Sequence, residues 1–249
     1  MHAKTHDMYS QLERLFLTDP VRFAFELYDL RFDKENTEFK VVDEGYIMIY
    51  KKFYPPTVIL HADKECTVRK LISMLREEDK FILFIEPKWA PLISFPNVKI
   101  YPEILMVCNK PNVFRNENVR KLSIEDKEEI LDLYGKERGN VVLQLLSEGK
   151  TTAYGLFLNN HLVSAAYTWI EIENVAIIGG VLTRKEFRKR GFATSVVSIL
   201  TEDLVKRGKI ASLYVREDNN TAINVYKRIG YKEYWRRLWV SVNTDEKPL

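Results

Sequence analysis

The chain has 249 residues, of which 46% are hydrophobic and 29% charged, and its formal net charge at pH 7 is +3. This composition is typical of a globular protein with one large or two modest domains, and it excludes a disordered chain. The small net charge argues against nucleic-acid binding, which needs a larger and more continuous basic face.

Cysteine and histidine usage argues against disulfide and metal chemistry. Cys66 and Cys108 are the only cysteines, and the four histidines are scattered, so neither a disulfide framework nor a zinc pattern is present. We therefore expect no metal. The N-terminal residues lack the apolar core of a signal peptide, and no apolar run reaches the length of a membrane span. The sequence thus predicts a cytoplasmic protein with no membrane partner.

The first half of the chain reads as a helix, three strands, a helix and two strands. Asp19–Pro20 is a strong helix start, and Pro55–Pro56 and the segment 43–45 separate strands. The helices are predicted at 21–30 and 67–78, and the strands at 38–42, 46–53, 57–62, 80–86 and 98–107.

The second half begins with a short strand near residue 119. Ser123 and Asp126 then have the spacing of a helix cap. Two helices up to residue 149 are followed by three antiparallel strands with turns at Asn159–Asn160 and Glu173–Asn174. The remaining predicted elements are a helix ending near Gly208, a strand at 211–216, a helix closed by Gly230 and a strand at 231–242.

The order strand-strand-strand-helix-strand-strand therefore occurs twice, with a short segment before the last strand. We predict an N-terminal domain at 1–115 and a second, related domain at 116–249. Two unrelated α/β pieces are the alternative, because residue identity between the halves is slight.

The stretch "VLTRKEFRKRGFAT" contains five Lys or Arg residues between Arg184 and Arg190. It lies between a predicted strand and a predicted helix, whose first turn presents unpaired N–H groups and partial positive charge. Gly191 would let the backbone approach an anion closely. The loop is thus a candidate diphosphate site. A solvated basic turn explains the same residues.

The segment "RKRGFA" resembles the R/Q-x-x-G-x-G/A pyrophosphate loop of the GNAT N-acyltransferase superfamily. The downstream stretch "YVREDNNTAINVYKRIGY" is similar to the strand and helix that follow in that superfamily, with Asn219, Tyr226 and a terminal Gly230–Tyr231 pair. The resemblance covers about residues 117–243. The corresponding place in the first half, "HADKECTVRKL", lacks the loop, so the first half resembles a degenerate copy.

The resemblance implies an α/β (α+β) GNAT fold, a mixed and mostly antiparallel central sheet flanked by helices, present twice in tandem as in glycine N-acyltransferase-like proteins. It implies acetyl-CoA as co-substrate and an amine, on a small molecule or a protein, as acceptor. Coenzyme A would be bound by residues of one strand and the following loop, together with Asn219 and Tyr226. These residues are Val181, Leu182, Thr183, Arg188, Lys189, Arg190, Gly191, Phe192, Ala193 and Thr194.

The same resemblance implies catalytic roles. The Val181 N–H would polarise the thioester carbonyl, and Tyr226 would be the general acid, although its apolar neighbours at helical spacing also fit a core tyrosine. Glu173 and Glu217 are candidate bases, and a water chain is the alternative. The resulting hypothesis is an N-acetyltransferase. An amino-acid N-acyltransferase with a longer acyl-CoA and a non-catalytic acyl-CoA-binding module are the alternatives.

Overall fold

A computed structural model describes residues 2–76 and 79–246. Its contacts divide the chain into two compact units. The N-terminal unit comprises Met1–Leu105, Val215–Asp218 and Trp235–Leu249, and the C-terminal unit comprises Met106–Tyr214 and Asn219–Tyr234. The division into two tandem domains, at 1–115 and 116–249, stays a prediction.

Along the chain, the N-terminal unit has two helices, three strands, a helix and two strands. This order is close to the predicted one. Its elements are α1 (His2–Thr18), α2 (Ala24–Phe32), β1 (Thr37–Val42), β2 (Gly45–Tyr50), β3 (Thr57–His61), α3 (Glu65–Ile72), β4 (Phe81–Ile85) and β5 (Val98–Cys108), whose last residues lie in the C-terminal unit. The sequence did not predict α1. Helix α2 begins later than Pro20 because Asp19 first accepts hydrogen bonds from the N–H groups of Arg22 and Phe23, forming a turn.

The C-terminal unit follows the predicted order throughout. Its elements are β6 (Val119–Lys121), α4 (Lys127–Tyr134), α5 (Lys136–Ser147), β7 (Ala153–Leu158), β8 (His161–Glu171), β9 (Val175–Thr183), α6 (Phe192–Lys206), β10 (Ile210–Arg216), α7 (Asn220–Ile229) and the first residues of β11 (Lys232–Val242). Ser123 and Asp126 form the predicted capping box. Helix α5 starts earlier than expected, directly after Gly135.

Each unit combines antiparallel strands with one parallel pair. In the N-terminal unit β1, β2 and β3 are antiparallel, and β4 is parallel to β3 across α3. In the C-terminal unit β7, β8 and β9 are antiparallel, and β10 is parallel to β9 across α6. The predicted fold class, a mixed and mostly antiparallel sheet flanked by helices, is confirmed.

The core of the N-terminal unit includes the last part of β11. Strand β11 pairs antiparallel with β4, from Leu238 opposite Ile85 to Val242 opposite Phe81, and its apolar side chains join the buried cluster. In the same unit the buried Arg237 guanidinium donates to the buried Glu103 carboxylate at 2.7 Å. Residues 238–242 therefore complete this core.

Candidate functional site

Strands β9 and β10 are paired only over the first third of β9. Their parallel pairing covers only Val175 to Ile177, opposite Ile210 to Ser212, whereas β9 continues to Thr183. The backbone groups of β9 beyond Ile177 therefore have no partner in β10. An unpaired strand edge of this kind can hydrogen-bond an extended ligand, as an added strand does.

A bulge interrupts β9 in the same stretch. Gly179 pairs with Tyr167 and Leu182 with Ala165, so β9 carries one more residue than β8 between these pairs. Gly180 has a φ of +57°, and a Cβ there would lie 2.0 Å from the Tyr167 ring. Only glycine fits this close approach.

Two tyrosines, the buried Tyr167 and the partly buried Tyr134, hold the bulge. The Tyr134 hydroxyl, at the end of α4, donates to the Gly180 carbonyl at 2.7 Å, and its ring meets that of Tyr167 edge-on at 5.7 Å between centroids. Burial raises the pKa of Tyr167 to about 12 and that of Tyr134 well above its usual value. Both hydroxyls are thus protonated at neutral pH.

The basic loop leads from β9 to a helix start that suits an anion. Lys189 and Gly191 have φ values of +63° and +80°, and Gly191 is the N-cap of α6. Ser195 N–H is bonded to the Gly191 carbonyl, so by helix geometry the N–H groups of 192–194 lack partners within the helix. Three full charges, at Arg188, Lys189 and Arg190, are exposed beside these donors.

The basic side chains of the loop are not equivalent. The Arg184 side chain is held in place by the protein itself, because it donates to the Leu162 carbonyl at 2.8 Å and pairs with Asp132. Arg188 Nε donates to the Thr183 carbonyl at 3.1 Å and so follows the end of β9. Arg184 is therefore explained by structure alone, whereas Arg188, Lys189 and Arg190 remain exposed for a ligand.

Tyr226 is buried in α7, and its hydroxyl makes no hydrogen bond to any residue in the described ranges. Burial raises its pKa to about 12, so the hydroxyl keeps its proton at neutral pH. The neighbouring Tyr231, with its ring centroid 5.9 Å away, differs because its hydroxyl lies 2.7 Å from the hydroxyl of Thr201. Tyr226 is the one of the two with a hydroxyl left for a reaction.

Asn219 is the N-cap of α7, and its Oδ1 accepts from the Ala222 N–H at 3.1 Å. This cap explains the residue structurally. Its predicted contact with coenzyme A stays a prediction.

The candidate bases are not grouped with these residues. Glu173 lies in the turn before Val175, and six residues of strand separate Val175 from Val181, roughly 20 Å. Glu217 belongs to the N-terminal unit and pairs there with Arg236. Burial opposes ionisation of Glu171, but bonds from Thr152, Thr168 and Arg207 hold its pKa below the usual value.

In the described part of the chain no His, Cys, Asp and Glu side chains form a group that could hold a metal ion. No described helix is long and apolar enough to cross a membrane.

The parted strands, the bulge and the loop before α6 together indicate a GNAT-type fold. The family described as FR47-like protein matches residues 153–240. An uncharacterized N-acetyltransferase of Methanocaldococcus jannaschii is 38% identical over 65 residues, which is 26% of this chain and 29% of the relative. The chain thus aligns with under a third of that relative's length.

Two solved structures share the fold across most of the chain. A GCN5-related N-acetyltransferase from Kribbella flavida has a TM-score of 0.69 at 14% identity, covering 91% of this chain and 96% of that one. A tandem GNAT protein from the clavulanic acid biosynthesis pathway has a TM-score of 0.55 at 13% identity, covering 89% and 88%. The chain thus has the GNAT fold, and its residues 153–240 are similar to the FR47-like family.

The sequence did not single out Tyr134 or Tyr167. Tyr134 lies 46 positions before Gly180, and Tyr167 lies 13 positions before it. No local sequence pattern marks contacts over such separations.

Proposed function

We propose that the chain is an N-acetyltransferase that transfers the acetyl group of acetyl-CoA to a primary amine by direct attack. The observation that carries the proposal is the free edge of β9 beyond Ile177, which runs through the bulge to the basic loop before α6. An extended thioester arm fits the strand edge, and a diphosphate fits the helix start.

The residues of β9 and the loop divide by role. The backbone of Val181, Leu182 and Thr183 pairs with the pantetheine arm. The diphosphate is held by Arg188, Lys189 and Arg190 and by the N–H groups of residues 191–194. Asn219 contributes a further contact with coenzyme A in addition to its cap.

The reaction forms one C–N bond and breaks one C–S bond. The amine nitrogen attacks the thioester carbonyl carbon, and the Val181 N–H donates to the carbonyl oxygen as negative charge develops there. The C–S bond then breaks, and Tyr226 gives its hydroxyl proton to the departing thiolate. The proton of the attacking nitrogen passes to water, because Glu173 lies before β9, roughly 20 Å of strand from Val181.

Tyr226 suits this role because it is a protonated, buried and uncommitted donor. A thiolate with an ordinary pKa near about 8.5 is a fair leaving group that gains from an acid. The pKa of Tyr226 also means that water reprotonates the tyrosinate readily after each turnover.

The N-terminal unit is proposed as a non-catalytic copy. Its parallel pair also ends after three residues, at Ile59 opposite Phe84, but there the Arg22 guanidinium bonds both His61 Nδ1 at 3.1 Å and Glu86 Oε1 at 3.0 Å. The chain's own side chains thus occupy the position that is open in the C-terminal unit. Calorimetry should give one coenzyme A per chain, and two equivalent sites would contradict this assignment.

The test of function is thiol release from acetyl-CoA over a panel of amines, with calorimetry of coenzyme A binding in parallel. Amine-dependent thiol release supports the transferase. Tight coenzyme A binding without thiol release for any amine would instead establish an acyl-CoA-binding module. A series of longer acyl-CoA thioesters identifies the acyl chain that reacts fastest.

A further inference from the structure

The N–H of Val181 lies on the edge of β9 that faces away from β8. Beyond the bulge, β9 pairs with β8 in a regular register, and the Arg184 N–H donates to the Val163 carbonyl of β8 at 2.9 Å. Because N–H groups alternate between the two edges of a strand, an N–H three residues before Arg184 points to the opposite edge. That residue is Val181, and β10 pairs with β9 only as far as Ile177. The Val181 N–H thus faces the edge that β10 leaves uncovered.

The direction of this N–H is coupled to that of the Gly180 carbonyl, because both belong to one peptide group. The bond between Gly180 and Val181 is trans. In a trans peptide the C=O and the N–H lie in one plane and point in opposite directions. A side chain that fixes the Gly180 carbonyl therefore also fixes the Val181 N–H.

The side chain that holds this carbonyl is Tyr134, whose hydroxyl donates to it at 2.7 Å. Gly180 gains from such support, because glycine is the residue whose backbone is least restrained. The Tyr134 ring is placed in turn by its edge-on contact with Tyr167, which fills the space next to Gly180. A hydrogen bond to the oxygen of a peptide also polarises that peptide, which makes its N–H a better donor.

We propose that Tyr134 is a positioning residue for acyl transfer, which holds the Gly180–Val181 peptide so that the Val181 N–H meets the thioester oxygen. The inference rests on the proposed function, in which this N–H donates to that oxygen as negative charge develops. A donor of this kind is most effective when its direction is set before the reaction, because no reorganisation is then needed. Tyr134 acts through the peptide and not by contact with the substrate.

The kinetic test compares two variants that each remove one hydroxyl and keep the ring. Tyr134→Phe removes the bond to Gly180, and Tyr231→Phe is the matched control, since its hydroxyl lies 2.7 Å from that of Thr201 in the same unit. Thiol release from acetyl-CoA gives kcat, calorimetry gives the affinity for coenzyme A, and urea unfolding gives stability. Tyr134→Phe should lower kcat about 10- to 100-fold and the affinity much less, whereas Tyr231→Phe should keep kcat.

The peptide itself can be observed, because Gly180–Val181 is the one place in the chain where valine follows glycine. Labelling glycine at the carbonyl carbon and valine at the nitrogen with NMR-active isotopes therefore gives a single signal that correlates the two groups of this peptide. Acetyl-CoA carries the thioester oxygen and coenzyme A does not. In the full chain acetyl-CoA should move the signal further than coenzyme A does. This difference should shrink in Tyr134→Phe and persist in Tyr231→Phe.

The NMR signal separates the two proposals, because it needs no turnover. An acetyl-dependent movement that shrinks in Tyr134→Phe, without thiol release for any amine, would support the positioning role and contradict the transferase. Thiol release with an unchanged kcat in Tyr134→Phe, or an unchanged acetyl-dependent movement, would overturn the positioning role and leave the transferase intact. If Tyr134→Phe does not fold, the full chain decides: equal movement with both ligands overturns the inference, and a larger movement with acetyl-CoA supports it.

Discussion

The hydroxyl of Tyr134 donates a 2.7 Å hydrogen bond to the carbonyl oxygen of Gly180, which ties the end of α4 to the bulge in β9. The bulge therefore has a defined shape before any ligand arrives. A preformed strand edge reduces the conformational entropy that is lost when a ligand binds.

Gly180→Ala should weaken coenzyme A binding sharply, because its Cβ would lie 2.0 Å from the Tyr167 ring and its φ is +57°. The control is Gly179→Ala, whose Cβ would be 3.5 Å from Trp169, an ordinary contact. Calorimetry of coenzyme A binding measures both. Equal affinities for the two variants would show that the bulge has no part in the site.

Gly191→Asp should also weaken coenzyme A binding, because it places a negative charge and a side chain where the diphosphate is proposed to lie. Gly208→Asp is a matched control at the other end of α6. Its φ of +79° is close to the +80° of Gly191, and a Cβ at either position meets no atom within 4 Å. Both variants should lose about 1 kcal/mol of stability through backbone strain. A similar loss of affinity in both would remove the loop from the binding site.

Tyr226→Phe should lower kcat about 100-fold or more, with little change in coenzyme A affinity, because a general acid acts in the transition state. Tyr231→Phe is the control, since it removes a hydroxyl bonded to Thr201 and should cost about 1 kcal/mol of stability with kcat preserved. Steady-state kinetics and urea unfolding separate the two effects. Unchanged turnover in Tyr226→Phe would show that this side chain has only a structural role in the core.

The pH profile of turnover follows from the same tyrosine. Burial holds the pKa of Tyr226 at about 12, so the acid stays protonated as pH rises through the neutral range. Turnover should rise with pH as the acceptor amine loses its proton, without an alkaline decline due to Tyr226 below about pH 11. A decline near pH 8 that disappears in Tyr226→Phe would contradict the assigned pKa.

The buried ion pair of Arg237 and Glu103 should contribute to the stability of the N-terminal unit. Arg237→Met should destabilise the N-terminal unit by about 3–5 kcal/mol, because it leaves the Glu103 carboxylate buried without its partner. The double variant Arg237→Met/Glu103→Met should recover much of this loss, since it leaves no buried charge. Urea unfolding of the single and double variants gives the comparison. Strictly additive losses would show that the two charges do not interact.

Two buried carboxyl groups in α2, those of Glu26 and Asp29, should make the stability of the chain depend on pH. Burial raises the pKa of Asp29 to about 8 and that of Glu26 to about 7, above their usual values. The folded state thus holds protons that the unfolded state releases near pH 4, and the stability from these groups is lost as pH rises from about 4 to 8. Asp29→Asn should therefore gain stability over the natural chain as pH rises across that range, by up to about 1.4 kcal/mol per pH unit. A pH-independent difference in urea unfolding would contradict the raised pKa.

The sequence by itself determined the elements of the C-terminal unit, the loop before α6 and the fold class. These depend on local signals: periodic apolar residues, the Ser123–Asp126 cap, and glycines at positions that need a positive φ. Such signals act between residues a few positions apart, so a linear reading can find them. It missed α1, whose role comes from packing Leu12 and Phe16 into a core made elsewhere in the chain.

Only the tertiary structure decided which residues hold the bulge, where the strands part and which unit the chain's end completes. Tyr134 meets Gly180 across 46 positions, and Arg237 meets Glu103 across 134. Contacts so far apart depend on strand register and packing, which leave no local pattern.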